Sequence, residues 1–456
     1  MPEKVTQNKP VVGLVEKIGY AVGDTASCLY FQTFSMFLMF FYTDTFGISA
    51  AAVGTMLLLT RIWDTANDPM MGMIADRTNT RFGKFRPWIL WMIVPYMVIG
   101  VATFITPNFT PTGKLIYAYI TYTLVTMVYT AINIPYGALL GVMSPNSDER
   151  TQLSSFRFIG AFTGNLIIQG LLLLLVKHLG GGNNQLGYPL AMTVFAIMAG
   201  GLWFFTFSAT KERIQPPKDQ KTNVWQDLGD LVKNRPWLVL CLMGILTLIW
   251  VSIRNAAMMY YFKYYVGDEQ KAAAFMVVGT VFSLIGVSAT TFITRLLGGK
   301  KQTFMILTGI NAIITALFFF AGPSDYVLMY STQILGSFVG GPLMPLTWSM
   351  YADTADYAEW KFGRRATGLI FSAATFSQKF GWTIGGAVAG WVLAGFGYQP
   401  DVTQTELTLK GIRMMMSLLP AAGCVLVLFA AVFYNLNETL QKRIETELQQ
   451  RKTAEA

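Results

Sequence analysis

Apolar residues occupy the chain in runs too long and too uniform for a soluble core, and short polar breaks separate them. Reading each run as a helix of at least about 20 residues, the length that crosses a hydrocarbon layer, predicts six spans in the first half, at 18–46, 50–75, 88–107, 114–144, 154–177 and 188–210. Six more follow at 237–264, 271–297, 302–321, 325–352, 365–397 and 407–436. Several are longer than the minimum, which predicts tilt or ends that project beyond the hydrocarbon. The longest polar break, 211–236, contains Pro216 and Pro217 and divides the runs six and six. The pattern predicts an all-α membrane protein whose twelve transmembrane helices form two pseudo-symmetric six-helix bundles. Residues 1–210 form the N-terminal bundle, 211–236 a cytoplasmic linker, 237–436 the C-terminal bundle and 437–456 a polar tail that prolongs the last helix into the cytoplasm.

Composition agrees. Of 456 residues 53% are hydrophobic and only 13% charged, against roughly 25% charged in soluble domains. Soluble enzymes, coiled coils, collagen and disordered chains are excluded. The net charge of +9 is a matter of topology and not of nucleic-acid binding, because seventeen Lys and Arg lie in the even-numbered loops and four in the odd. The positive-inside rule therefore places the even loops and both termini in the cytoplasm. Cys28, Cys241 and Cys424 lie in separate apolar runs and read as packed thiols. No cleaved leader is expected after the polar start at Met1–Pro10.

The halves echo one another. Pro135, then Arg150 and Phe156, are matched by Pro345, Arg365 and Phe371, and the basic turn from Asp76 to Arg86 has a shorter counterpart from Arg295 to Lys301. Such repeats are the architecture of a rocker-type secondary transporter.

Specific motifs narrow this. Ile18-Gly19-Tyr20 with Gly23-Asp24, Tyr42-Thr43-Asp44, the run Arg61 to Pro69 (RIWDTANDP), Gly83-Lys84-Phe85-Arg86-Pro87-Trp88, Asn133-Ile134-Pro135 and Ala352 to Tyr357 (ADTADY) resemble the glycoside-pentoside-hexuronide:cation symporters of the major facilitator superfamily, the group containing melibiose permease. The resemblance extends from about residue 15 to 436. It implies the major facilitator fold, a bacterial cytoplasmic (inner) membrane location, function as a monomer, a sugar or glycoside as substrate and no cofactor beyond a coupling ion, H⁺ or Na⁺.

Asp64 and Asp68 are i and i+4, so they share a helix face, with Asn67 one step aside. Pro69 has no N–H, which leaves the Thr65 carbonyl without its helical partner near the bilayer's middle. Hard oxygens in that number suit Na⁺, and carboxylates alone suit H⁺. The resemblance implies that Asp64 and Asp68 hold the cation and that Asn67 helps to choose it, with Thr130 nearby. An alternative reading pairs Asp64 with Arg61 alone. For the sugar, the resemblance implies Asp24, with Arg157 and Lys379 as further polar contacts and Thr375 close by. Trp348 and, less strongly, Tyr136 are stacking surfaces for a pyranose face. Asn133, Gly23 and Gly137 stand where melibiose permease has aspartate, lysine and tryptophan, so galactoside specificity and Na⁺ use do not carry over, and pentosides or hexuronides become candidates. Asp76, Arg77, Arg81 and Lys84 resemble the superfamily's latch between the second and third helices, with Asp148, Glu149, Asp353, Asp356 or Glu359 as partners. Two rivals remain: an uncoupled facilitator or exchanger, and an intramembrane transferase using the carboxylates as acid and base. The sole histidine, His178, sits at a span end with no nucleophile in view, which disfavours the enzyme.

Overall fold

The computed structural model describes residues 12–144, 147–213, 229, 231–363 and 367–455. Twelve helical passes are present among the described residues. The first six are α1 (Leu14–Met36), α2 (Ala50–Arg77), α3 (Arg86–Ala102), α4 (Pro111–Met143), α5 (Ser147–Gly180) and α6 (Asn184–Ala209). The second six begin with α7 (Arg235–Tyr260) and α8 (Lys271–Ser288, continued by Thr290–Leu296), followed by α9 (Lys300–Leu317). Then come α10 in two pieces (Tyr326–Gly340 and Leu343–Phe362), α11 (Thr367–Gly395) and α12 (Glu406–Met416 and Leu418–Val432). A further helix, α13 (Glu438–Glu455), ends the chain.

Among the described residues, seven passes are long and apolar enough to cross a membrane by length and hydropathy alone. Two of the other five fall short for reasons visible in their residues: α3 is short, and α2 carries Arg61, Asp64, Asp68, Asp76 and Arg77. Their large apolar side chains still face outward, as Ile62, Met73, Val94 and Val98 show, and so do Ile197, Ile313, Val327 and Phe429 on the longer passes. Exposed apolar faces of that extent are lipid-facing.

The chain divides into two compact units, Met1–Ile48 with Leu59–Asp219, and Ser49–Leu58 with Gln220–Ala456. Each repeats one packing plan. In the first unit α1 lies against α5 and α6, and α3 against α6; in the second α7 lies against α11 and α12, and α9 against α12. The repeat extends to detail. Gly160 lets α5 approach the carbonyl of Ala21 on α1, and Gly381 lets α11 approach that of Ile245 on α7; a Cβ at either glycine would collide with backbone. Both α1 and α7 also lead into a wider, π-helical turn, Phe41–Thr45 and Tyr261–Val266, each soon followed by a left-handed glycine, Gly47 and Gly267.

The tail departs from the expected continuation of the last span. Asn437 accepts a hydrogen bond from the Leu440 amide at 2.9 Å and so caps a separate helix. Leu436, Ile444 and Leu448 are buried in the cluster that contains Met350, Ala355 and Ala358 of α10. Spacing at every fourth residue makes one apolar stripe, and burying it outweighs solvation of an otherwise polar helix. Trp360 donates from Nε1 to Glu447 Oε2 at 2.6 Å, and Arg443 donates to Glu447 Oε1 at 2.7 Å. The Trp360 indole, then the Arg443 guanidinium, hold the Glu447 carboxyl below its usual range. A carboxylate depressed on docking stabilises the docked state above its ordinary pKa and stops doing so as pH falls through the lowered value. Limited proteolysis of the tail should thus be slow at neutral pH and quicken only in clearly acidic buffer, and Glu447→Gln should remove that pH dependence.

Candidate functional site

Among the described residues, polar side chains from four helices of the first unit, α1, α2, α4 and α5, form two interior clusters. In one, the Thr130 hydroxyl of α4 stands 2.9 Å from Asp64 Oδ1 and 3.1 Å from Asp68 Oδ1, both on α2. Asp64 is buried at 5% exposure, and Arg61 NH1 lies 3.7 Å from its second oxygen. The Arg61 pairing therefore exists, but alongside the carboxylate pair and not in place of it. Two carboxylates and one guanidinium leave one net negative charge around the Thr130 hydroxyl, and the Tyr122 hydroxyl bonds the guanidinium. Asn67 is half-buried one residue before Asp68, and Pro69 lies inside α2, so the Thr65 carbonyl lacks its helical donor as the spacing implied.

In the other cluster, Arg157 of α5 grips Asp24 of α1 through two hydrogen bonds, Nε to Oδ2 and NH2 to Oδ1, the latter at 3.1 Å. Its guanidinium lies over the rings of Tyr136 and Tyr20, with centroids at 4.9 and 5.5 Å. Such a bidentate pair holds the carboxylate in a defined orientation. Tyr136 is 1% exposed, bonded to the Tyr20 carbonyl at 2.6 Å and packed edge-on against Trp203. It braces Arg157 and offers no open ring for stacking.

The clusters meet through α4. Asn133 lies one turn beyond Thr130 on that helix; its Oδ1 accepts from Ser27 Oγ at 2.7 Å, and its Nδ2 donates to the Tyr129 carbonyl at 2.9 Å. Ser27 also shares a hydrogen bond with the Tyr129 hydroxyl at 2.8 Å and stands one turn from Asp24 on α1. Sequence reasoning missed Ser27 and Tyr129. The i, i+3 relation of Ser27 to Asp24 was the available clue.

The remaining expected sugar contacts belong to the second unit. Trp348 is half-buried on α10, 5.9 Å from the Tyr351 ring, and Thr375 and Lys379 share one face of α11 at i and i+4. Of the expected latch, Arg77 and Arg81 are exposed and Lys84 is half-buried, while the Asp76 and Asp148 side chains lie outside the described residues. What organises this loop was not foreseen. Glu212, just after α6, accepts from the amides of Lys84, Phe85 and Arg86 at 2.8, 2.8 and 2.9 Å, at the start of α3. Gly83, at φ +106, makes room for it. Of the expected latch acids, Glu149 binds the Ser144 hydroxyl, and Asp353 binds Lys300 and Gln441. Glu16 in turn holds Arg213, so the start of the linker is stitched to α1 and α3 alike. Bonds to a charged acceptor contribute about 1.5–3 kcal/mol each when buried; at this half-exposed rim Glu212→Ala should cost about 2 kcal/mol in all. A fall of several degrees in melting temperature in detergent checks this, and an unchanged melt would mean that the loop holds itself.

Residues 19–438 match the family model for MFS/sugar transport proteins. The chain belongs to the glycoside-pentoside-hexuronide:cation symporter family. Over 444 residues it is 37% identical to the inner membrane symporter YicJ of Escherichia coli, covering 97% of this chain and 96% of that one. It is 34% identical to the isoprimeverose transporter of Lactiplantibacillus pentosus, covering 98% and 94%. Its fold is similar to that of the nucleoside transporter NupG in a crystal structure, with a TM-score of 0.69 at 15% identity over 92% of this chain and all of that one. This family member is an inner-membrane sugar:cation symporter and not an enzyme, and the transferase reading falls away.

Proposed function

We propose that the symporter couples sugar import to a monovalent cation, H⁺ or Na⁺, held at Asp64 and Asp68 with Asn67 and Thr130 beside them. The observation that carries this is the Thr130 hydroxyl, shared between two carboxylates one helical turn from Asn133. A cation entering that cluster satisfies its net negative charge and fixes the rotamer of Thr130. Fixing that turn of α4 sets Asn133 against Ser27 and, through α1, the Asp24–Arg157 pair. Asp24 accepts from adjacent sugar hydroxyls while Arg157 donates to a ring or glycosidic oxygen. Trp348, Thr375 and Lys379 are further sugar contacts, and Asp76, Arg77, Arg81 and Lys84 gate the cytoplasmic side, where both termini lie. The substrate is a glycoside, pentoside or hexuronide, and isoprimeverose, carried by a relative, belongs in the first panel tested.

Replacing Thr130 with Val keeps shape and removes the shared donor. The concentration of cation for half-maximal accumulation should rise about tenfold, in keeping with the loss of a hydrogen bond to a charged group, while sugar counterflow at saturating cation stays near wild type. Equal damage to both would point to a packing role for Thr130.

A further inference from the structure

The first turn of α9 repeats the first turn of α3, with one difference. Gly299, at φ +116, precedes α9 as Gly83 precedes the amides of Lys84–Arg86, and an acid from just beyond the sixth pass of its unit lies over it: Glu438 here, Glu212 there. Glu212 accepts three amides. Glu438 accepts none among the described residues; its ionic partner is Lys442 of its own helix, at 3.5 Å. The first helical bond of α9 is made by Thr303 to the Gly299 carbonyl at 3.0 Å, so the amides of Lys300, Lys301 and Gln302 precede it and point out of the helix end.

Beside those amides is a cavity of about 400 Å³, lined among others by Gly299, Lys300, Lys301, Asp353, Tyr434 and Glu438. Tyr434 is 1% exposed, and its hydroxyl has no hydrogen-bond partner among the described residues. Lys301 lines the cavity, and among the described residues its Nζ bonds only the Tyr434 carbonyl, at 2.6 Å, while Lys300 is engaged by Asp353 at 2.7 and 2.8 Å. Helix-start amides, a lysine held by a neutral carbonyl and a buried phenol donor are the chemistry of a phosphate cradle.

We propose that this cavity binds a phosphate group, from a soluble phosphate ester or from the headgroup of an anionic lipid, and that the group competes with the Glu438 carboxylate. Binding then displaces the first turn of α13 and links occupancy to docking of the tail.

The test uses the full chain in uncharged detergent with radiolabelled inorganic phosphate, followed by nanodiscs of phosphatidylcholine with or without phosphatidylglycerol. Glu438→Gln, a change on an exposed side chain, should tighten phosphate binding at least threefold, and Lys301→Gln should weaken it at least fivefold. Because one variant gains affinity, misfolding cannot mimic the pattern. Phosphate binding that is the same in both nanodiscs supports a soluble ligand. Phosphatidylglycerol that displaces labelled phosphate from wild type but not from Lys301→Gln supports the lipid headgroup. No saturable phosphate binding together with no effect of phosphatidylglycerol, or both variants binding as wild type does, overturns the site.

Discussion

Asp64→Asn should abolish cation-driven accumulation of sugar while leaving downhill sugar exchange measurable. Asp64 is buried, shares the Thr130 hydroxyl with Asp68 and lies 3.7 Å from Arg61. Removing its charge leaves Asp68 and Arg61 to cancel, so the cluster no longer attracts a cation. A unit charge about 4 Å away is worth on the order of 4 kcal/mol at an effective dielectric constant near 20, which is roughly a thousandfold in cation affinity. Accumulation ratios measured with the gradient imposed should fall to one, and equilibrium exchange of labelled sugar should persist. A variant that still concentrates sugar would move the coupling ion elsewhere in the bundle.

The second large effect is expected at Asp24 and Arg157. Removing either partner leaves the other charge poorly solvated, because their side chains are only 15% and 29% exposed. Breaking a buried pair costs about 3–5 kcal/mol, of which partial exposure here leaves about 3. Arg157→Gln or Asp24→Asn should each weaken sugar binding more than a hundredfold. The double variant should recover thermal stability, since neither charge is then stranded, but not sugar binding. Calorimetric sugar titrations beside melting curves of the three variants separate the two readouts. Recovery of sugar affinity in the double variant would reduce the pair to a structural tie.

Each feature that a short stretch of chain encodes was legible in the sequence. The twelve spans follow from apolar runs, and the shared face of Asp64 and Asp68 follows from a four-residue spacing. Most of what escaped depends on partners far apart in the chain. Glu212 looks like one more charge in a polar linker, yet its three donors lie more than a hundred residues earlier. Tyr136 offers an aromatic ring beside a sugar site, and only packing against Tyr20, Trp203 and Arg157 shows that the ring is covered. The tail carried its own clue in Leu436, Leu440, Ile444 and Leu448, a four-residue stripe masked by its many charges.

Sugar-triggered ion movement is the most direct test of coupling. Energy-depleted cells expressing the protein would receive glycosides, pentosides and hexuronides in turn, isoprimeverose among them, while external pH and Na⁺ are followed. One sugar should draw in one ion, seen as an alkaline shift or a fall in Na⁺, and Asp64→Asn should abolish the movement. Sugar entry with neither ion moving, unchanged in the variant, would contradict symport at this site and leave an uncoupled facilitator.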